Sequence, residues 1–234
     1  MRINKYIAQA GISSRRKADE LVAAGQVKVN GAVMTEPGYD VKDGDVVTVQ
    51  GQEIKPSTKK VYYAMNKPVR CVTTASDEEG RLTVLDVMGD LPERVFPVGR
   101  LDYNTSGLLF LTNDGDFAYH MTHPSSEIDK VYRVRVKGTT TKEKIARLRH
   151  GVDIGGYVTK RARVDLITWN GRSTILEITI HEGKNRQVRR MLEAVDLEVL
   201  ELERVSIGPI ALGRLKPGQF RKLNPSEVGH LMKL

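Results

Sequence analysis

Between Phe96 and Thr112 the chain passes from a polar, turn-prone stretch directly into an apolar one, and this leaves little choice of local structure. Asp102, Asn104, Thr105, Ser106 and Gly107 crowd its middle. Such residues favour turns because their side chains bond the local backbone or, for glycine, permit left-handed backbone. Leu108-Leu109-Phe110-Leu111 follows, an apolar run too short for a helix and suited to a buried strand. One carboxylate, Asp102, therefore stands in a tight loop at the mouth of a strand, with Arg100 two residues before it. Loops held by a rigid sheet are where reactive groups are commonly placed. An aspartate near a glycine can also do no more than cap its own turn.

The first fifty residues read as a small unit of their own. Ile3, Tyr6, Ile7 and Ala10 recur at helical spacing, and Gly11 closes that helix. Ser13 or Ser14 can cap a second helix with Ala18, Leu21 and Val22 as its apolar stripe, ended by Gly25. Val27 to Val33 reads as strand, Asn30-Gly31 turn, strand, and Asp43-Gly44 is a second turn leading to Val46-Val47-Thr48-Val49. The first thirty residues carry six basic side chains (Arg2, Lys5, Arg15, Arg16, Lys17, Lys28) against Asp19 and Glu20. The hairpin after them is acidic, so one face is basic, as phosphate docking requires. Gln50 to Lys60 is polar, contains Gly and Pro, and is read as a linker.

Charge extends this reading to the whole chain. Its 37 Lys and Arg against 29 Asp and Glu give a net charge of +8, which favours a polyanionic partner, nucleic acid first. No apolar run approaches the roughly 20 residues of a membrane span, and the N-terminus lacks the apolar segment of a signal peptide. The single cysteine, Cys71, is expected to be a buried thiol in a reducing, cytoplasmic setting.

Beyond the linker, Val61 to Met65 is a strand running into Asn66-Lys67-Pro68, and Asp116 to Met121 is a short helix after an Asn-Asp-Gly turn. Lys130 to Val136 alternates, placing Tyr132, Val134 and Val136 on one face and Arg133 and Arg135 on the other. Lys142 to Leu148 is a helix, Val164–Ile167 and Thr174–Ile180 are strands, and a last helix begins at Ser226. Val188, Met191, Leu192 and Val195 form a helical stripe starting near Asn185 as cap. Arg186, Arg189 and Arg190 then crowd the first turns, where cations oppose the helix dipole and repel one another, so anionic neighbours are expected. His120 and His123 lack the further ligands a metal site needs, and no metal is expected. His181-Glu182 lacks the second histidine of a zinc protease, and Gly183-Lys184 lacks the rest of a phosphate loop.

Gly99-Arg100-Leu101-Asp102, with Thr105-Ser106-Gly107-Leu108, resembles the catalytic-aspartate motif of pseudouridine synthases. Ala-Gly-Ile-Ser-Ser-Arg-Arg-Lys-Ala-Asp-Glu-Leu-Val followed by Gly-Gln-Val-Lys-Val-Asn-Gly resembles the S4 RNA-binding domain. Asn66-Lys67-Pro68, the tyrosine strand at 130–136, Gln187-Val188-Arg189 and Leu202 to Pro209 complete the similarity, which is closest to the RsuA/RluB type. The resemblance implies an α+β chain: an S4 domain over 1–49 (two helices and a small hairpin sheet), a linker over 50–60, and a catalytic domain over 61–234 whose mixed, mostly antiparallel sheet is flanked by helices. It implies isomerisation of a ribosomal RNA uridine to pseudouridine without cofactor. Asp102 would be the nucleophile, Arg189 its ion-pair partner and Tyr132 a stacking platform or proton acceptor. RNA would be met by Arg15, Arg16, Lys17, Lys67, Arg100, Lys184, Arg186 and Arg190. Met121 to Ser125 and Ile128-Asp129-Lys130 look closer to the large-subunit (23S) branch. Small-subunit RNA and a non-catalytic S4-type assembly factor stand as alternatives. A monomer is expected, since no surplus apolar face stands out. Two departures from the family pattern are visible. Arg70 stands where a glycine is usual, which argues against left-handed backbone there, and Asp196 replaces a helix-ending glycine at a position aspartate tolerates.

Overall fold

Asn30 and Gly31 both take left-handed backbone, φ +52° and +83°, the mirror-image turn that matches the twist of a two-stranded ribbon. In the computed structural model, which describes residues 1–234, that turn joins β1 (Val27–Val29) to β2 (Ala32–Met34). Before it come α1 (Ile3–Gln9) and α2 (Arg15–Ala23), the latter capped by Ser14, whose hydroxyl accepts from the Lys17 amide. β3 (Val47–Val49) and β4 (Gln52–Ile54) complete an antiparallel sheet ordered β2-β1-β3-β4. The fourth strand lies inside the segment read as linker. Gln50 and Gly51 make another left-handed pair, φ +51° and +84°, and Gln-Gly is a weak hairpin signal that composition hides. Ile3, Ile7, Ala18, Val22, Val27 and Val47 are fully buried in the core of this unit.

The chain divides into two compact units, Met1–Val61 with Pro92–Arg94, and Tyr62–Leu91 with Val95–Leu234. The second is built on β5 (Tyr62–Lys67), β6 (Phe96–Val98), β7 (Ser106–Thr112), β8 (Lys130–Lys137), β9 (Arg163–Trp169), β10 (Ser173–Ile180), β11 (Val199–Ile207), β12 (Ile210–Ala211) and β13 (Phe220–Lys222). These form one sheet, ordered β13-β5-β7-β11-β8-β10-β9, with β6 also on β7 and β12 on β11. Every pairing is antiparallel except β7 with β11, so the sheet is mixed as expected. Helices α3 (Val84–Met88), α4 (Gly115–Thr122), α5 (Lys142–His150), α6 (Gln187–Glu193) and α7 (Pro225–Leu231) flank it. The α3 helix was not foreseen, although Thr83 and Asp86 cap each other reciprocally in the Thr-x-x-Asp pattern that announces a helix start.

Two apolar clusters secure the sheet. One joins Val134, Val136, Leu176 and Ile178 to Leu148, Met191 and Leu192 of α5 and α6. The other joins Leu108 and Phe110 of β7 to Phe117, Met121 and Leu231 of α4 and α7. Leu108, Leu109 and Leu111 are completely buried, each contributing roughly 1.5–3 kcal/mol of transfer free energy. No helix is long and apolar enough to cross a membrane.

Candidate active site

The segment from Gly99 to Thr105 is held by its backbone while one of its side chains is left unengaged. Leu101 exchanges hydrogen bonds with the Thr73 hydroxyl, donating its amide at 3.2 Å and accepting at its carbonyl at 2.7 Å. The Tyr103 carbonyl accepts from the Arg70 amide at 2.7 Å, and the Asp102 carbonyl from the Thr105 amide at 3.0 Å. Arg189 donates to the Asn104 carbonyl at 2.8 Å and to the Thr105 hydroxyl at 3.4 Å. Asp102, half-buried among these anchors, makes no side-chain hydrogen bond and no ion pair. Arg70 does adopt left-handed backbone, φ +57°, contrary to expectation; its amide must point at Tyr103, and that bond offsets the steric cost. Asp196 is left-handed as expected, φ +56°.

Asp102 lines a cleft of about 410 Å³ whose walls come from β7, β8, β11, the start of α6 and the loops beside them. Tyr132, Arg189, Arg100, Lys184 and Arg186 line it too. Tyr132 is half-buried, and its hydroxyl accepts from Nη1 of Arg204 at 3.4 Å. Burial and the neighbouring Arg186 pull the Arg189 guanidinium below its ordinary range, while Asp102 acts in the opposite sense. The expected ion pair between Asp102 and Arg189 is nevertheless not formed. Arg189 reaches Asp102 electrostatically but spends its hydrogen bonds on the Asn104 carbonyl and the Thr105 hydroxyl of the Asp102 loop, so it fixes the loop and leaves the carboxylate open.

Lys67 is the clearest correction. Instead of an RNA contact it is a fully buried cation, its ammonium donating to the carbonyls of Pro68 at 2.8 Å and Cys71 at 2.7 Å. Burial pushes it down to about 8, opposed by Cys71 and Asp102. Exposure separates the other basic candidates. Arg100, Lys184 and Arg186 are exposed around the cleft; Arg190 is exposed on α6 but does not line it. Arg186, not Asn185, precedes α6, in left-handed backbone at φ +50° and without a side-chain cap, while the Lys184 amide before it donates to the Gln187 side-chain oxygen at 3.1 Å. In the N-terminal unit Arg15, Arg16 and Lys17 are all exposed on the first turn of α2. Lys17 pairs with Glu20 at 2.7 Å and Arg15 donates to Asn4 at 3.3 Å.

Sequence reasoning missed several residues of the cleft. Glu182 accepts from the Tyr157 hydroxyl, from Gln187 Nε2 and from the Lys160 amide, and the Lys184 ammonium sits 4.4 Å from the Tyr157 ring centroid. Lys130 and Arg204 face the cleft from β8 and β11. The alternating pattern of β8 puts Lys130 on the same face as Tyr132 and was signal enough for it. Arg204 lies in the Leu202 to Pro209 stretch that carries the resemblance, but no local pattern assigns it to the cleft, where its position depends on strand order.

Residues 61–194 match the family model described as RNA pseudouridylate synthase, and residues 1–47 match that of the S4 domain. The chain is 44% identical to the ribosomal large subunit pseudouridine synthase B of Bacillus subtilis, with all of this chain and 96% of the relative covered. It is 43% identical to an uncharacterized RNA pseudouridine synthase of Aquifex aeolicus, covering all of this chain and 94% of that one. It is 41% identical to the dual-specificity RNA pseudouridine synthase RluF of Escherichia coli K12, covering 79% of that protein. A crystal structure of a pseudouridylate synthase superposes with a TM-score of 0.70 at 27% identity over 99% of each chain.

Proposed function

The chain belongs to the RNA pseudouridylate synthase family, with an S4 domain at its N-terminus, and we propose that it converts a uridine of large-subunit ribosomal RNA to pseudouridine with Asp102 as nucleophile. The carrying observation is a carboxylate that faces the cleft without a partner, in a loop anchored at Leu101, Tyr103, Asn104 and Thr105. Anchoring of this kind supplies the orientation a nucleophile needs before substrate arrives. The ribosomal substrate rests on the Bacillus subtilis relative's name and on the basic first turn of α2.

In this reaction the N1–C1′ bond breaks and C5 of the same base bonds C1′; the C5 proton leaves and N1 gains one. Atoms balance within the nucleotide, and no other reactant enters. The uridine must first leave its stack, at a cost of about a few kcal/mol that contacts from a basic surface offset. Arg100, Lys184 and Arg186, exposed beside the cleft, would meet phosphates there, and the exposed Arg15, Arg16 and Lys17 would meet those reached by the S4 domain. Tyr132 offers a ring against which the base can stack.

Large- and small-subunit ribosomal RNA transcripts labelled with tritium at C5 of uridine test the reading, since C5–C1′ bond formation releases the label. Release from the large-subunit transcript by the wild type, and none by Asp102→Asn, is expected. Release by both proteins, or by neither, excludes Asp102 as nucleophile in this reaction; release from the small-subunit transcript alone reassigns the substrate.

A further inference from the structure

Arg204 is 4% exposed, and only part of its donor capacity is used. Nε donates to the Leu108 carbonyl at 2.7 Å and Nη1 to the Tyr132 hydroxyl at 3.4 Å; Nη2 is buried without any partner. Lys130, half-buried on the adjoining strand, donates to the carbonyls of Ile128 at 2.9 Å and His181 at 3.4 Å and has a further hydrogen to give. Neither side chain is in an ion pair, and both line the cleft that holds Asp102. Burial and Arg204 together push the Lys130 ammonium down to about 8. Two neighbouring cations withdrawn from water, one with a donor both buried and unpartnered, are unfavourable in the empty protein and call for a ligand.

The surroundings identify the ligand's chemistry. The cleft that holds the two cations takes part of its lining from Phe110, Met121, Ile180, Val188, Leu202 and Ile207, which suits a flat ring and not a hydrated phosphate. The exposed cations, Arg100, Lys184 and Arg186, are the ones that the proposed function assigns to phosphates. A ring with carbonyl groups on its edge, able to carry negative charge, satisfies both demands. Resting on the proposed reaction, we infer that Arg204, with Lys130 beside it, donates to a carbonyl oxygen of the extruded uracil and takes up the charge the base acquires when the N1–C1′ electron pair leaves with it. Uracil's own symmetry makes one donor sufficient. Turning the ring about the axis through N3 and C6 exchanges N1 with C5 and O2 with O4, so the position vacated by one carbonyl is refilled by the other. Cytosine presents an amino group at one of those two positions, donor against donor, so Arg204 is also a specificity-determining residue for uracil.

The test uses full-length protein and a transcript of large-subunit ribosomal RNA containing either uridine or 4-thiouridine, with isomerisation in a single turnover scored by chromatography of the digested nucleosides. Sulfur is the weaker acceptor, so the wild type should be about 10-fold slower on 4-thiouridine. Arg204→Lys should be roughly 100-fold slower than wild type on uridine, bind the transcript within about threefold, and show no further loss with sulfur. A rate within threefold of wild type, or an undiminished sulfur penalty, overturns the inference. Should Arg204→Lys not fold, Lys130→Gln decides: a loss of about 10-fold upholds the inference and a wild-type rate overturns it. If the wild type isomerises no uridine at all, the proposed function itself falls and this inference with it. If it does, and only the Arg204 and Lys130 results fail, the function stands.

Discussion

The α-carbon of Gly107 faces the backbone of Arg204 so closely that a methyl group built on it would stand 2.3 Å from the Arg204 carbonyl oxygen and 2.5 Å from its nitrogen. This is the parallel meeting of β7 and β11, where Arg204 is in register with Gly107 on one side and Tyr132 on the other. Gly107 also has φ +111°, closed to other residues. Gly107→Ala is therefore expected to lose about 3 kcal/mol or more, or to fail to fold, as read by denaturant unfolding. A loss below about 1 kcal/mol would show that the two strands can separate freely.

Arg189 ties the loop of Asp102 from across the cleft through the Asn104 carbonyl. Arg189→Ala should lower single-turnover isomerisation about 100-fold while changing RNA affinity less than threefold. An unchanged rate with weakened affinity would mean that Arg189 serves RNA and not the loop.

Lys67 makes the fold sensitive to alkali in a defined sense. Its folded value is about 8 against an ordinary 10.5, so between those values the unfolded chain holds the proton that the folded chain has released. Raising the pH through that window favours the folded state. The stability of the wild type relative to Lys67→Met should rise from pH 8 to pH 10 and stay flat below, measured by denaturant unfolding at each pH. A difference that falls with pH would contradict a buried, charge-disfavouring site.

On α2, Arg16 makes no ion pair, whereas Lys17 is held by Glu20 at 2.7 Å. Arg16→Ala should weaken ribosomal RNA binding and reduce the slope of log affinity against log salt by roughly 0.7–0.9. Lys17→Ala should do less, since its charge is already partly compensated. Equal effects, or none, in salt titrations would remove this turn from the RNA-binding surface.

Much of the architecture was legible in advance, because it is written in nearest neighbours along the chain. Asn30-Gly31 specifies a hairpin, four apolar residues at 108–111 specify a buried strand, and alternation at 130–136 puts Tyr132 on the face of the buried Val134 and Val136. What escaped was weakly written. Gln50-Gly51 turns the chain without a strong turn signal, and α3 is a short helix whose start is marked by little more than Thr83 and Asp86.

Local sequence was enough to put an aspartate in a loop before a buried strand, a tyrosine on the apolar face of another, and a basic face on the first two helices. Each follows from local backbone preference or from side-chain period. Which cations line the cleft was settled by packing between distant segments. Lys67 follows the same strand pattern as its apolar neighbours and ends in the interior, bonded to the carbonyls of Pro68 and Cys71. Arg189 finds a carbonyl in place of the carboxylate, and Arg204, 97 residues beyond Gly107 along the chain, reaches Leu108 and Tyr132 because β11 lies between β7 and β8. A charged side chain's role depends on what folding leaves for it to pair with, and that is settled by strand order across the sheet, which no short window of sequence encodes.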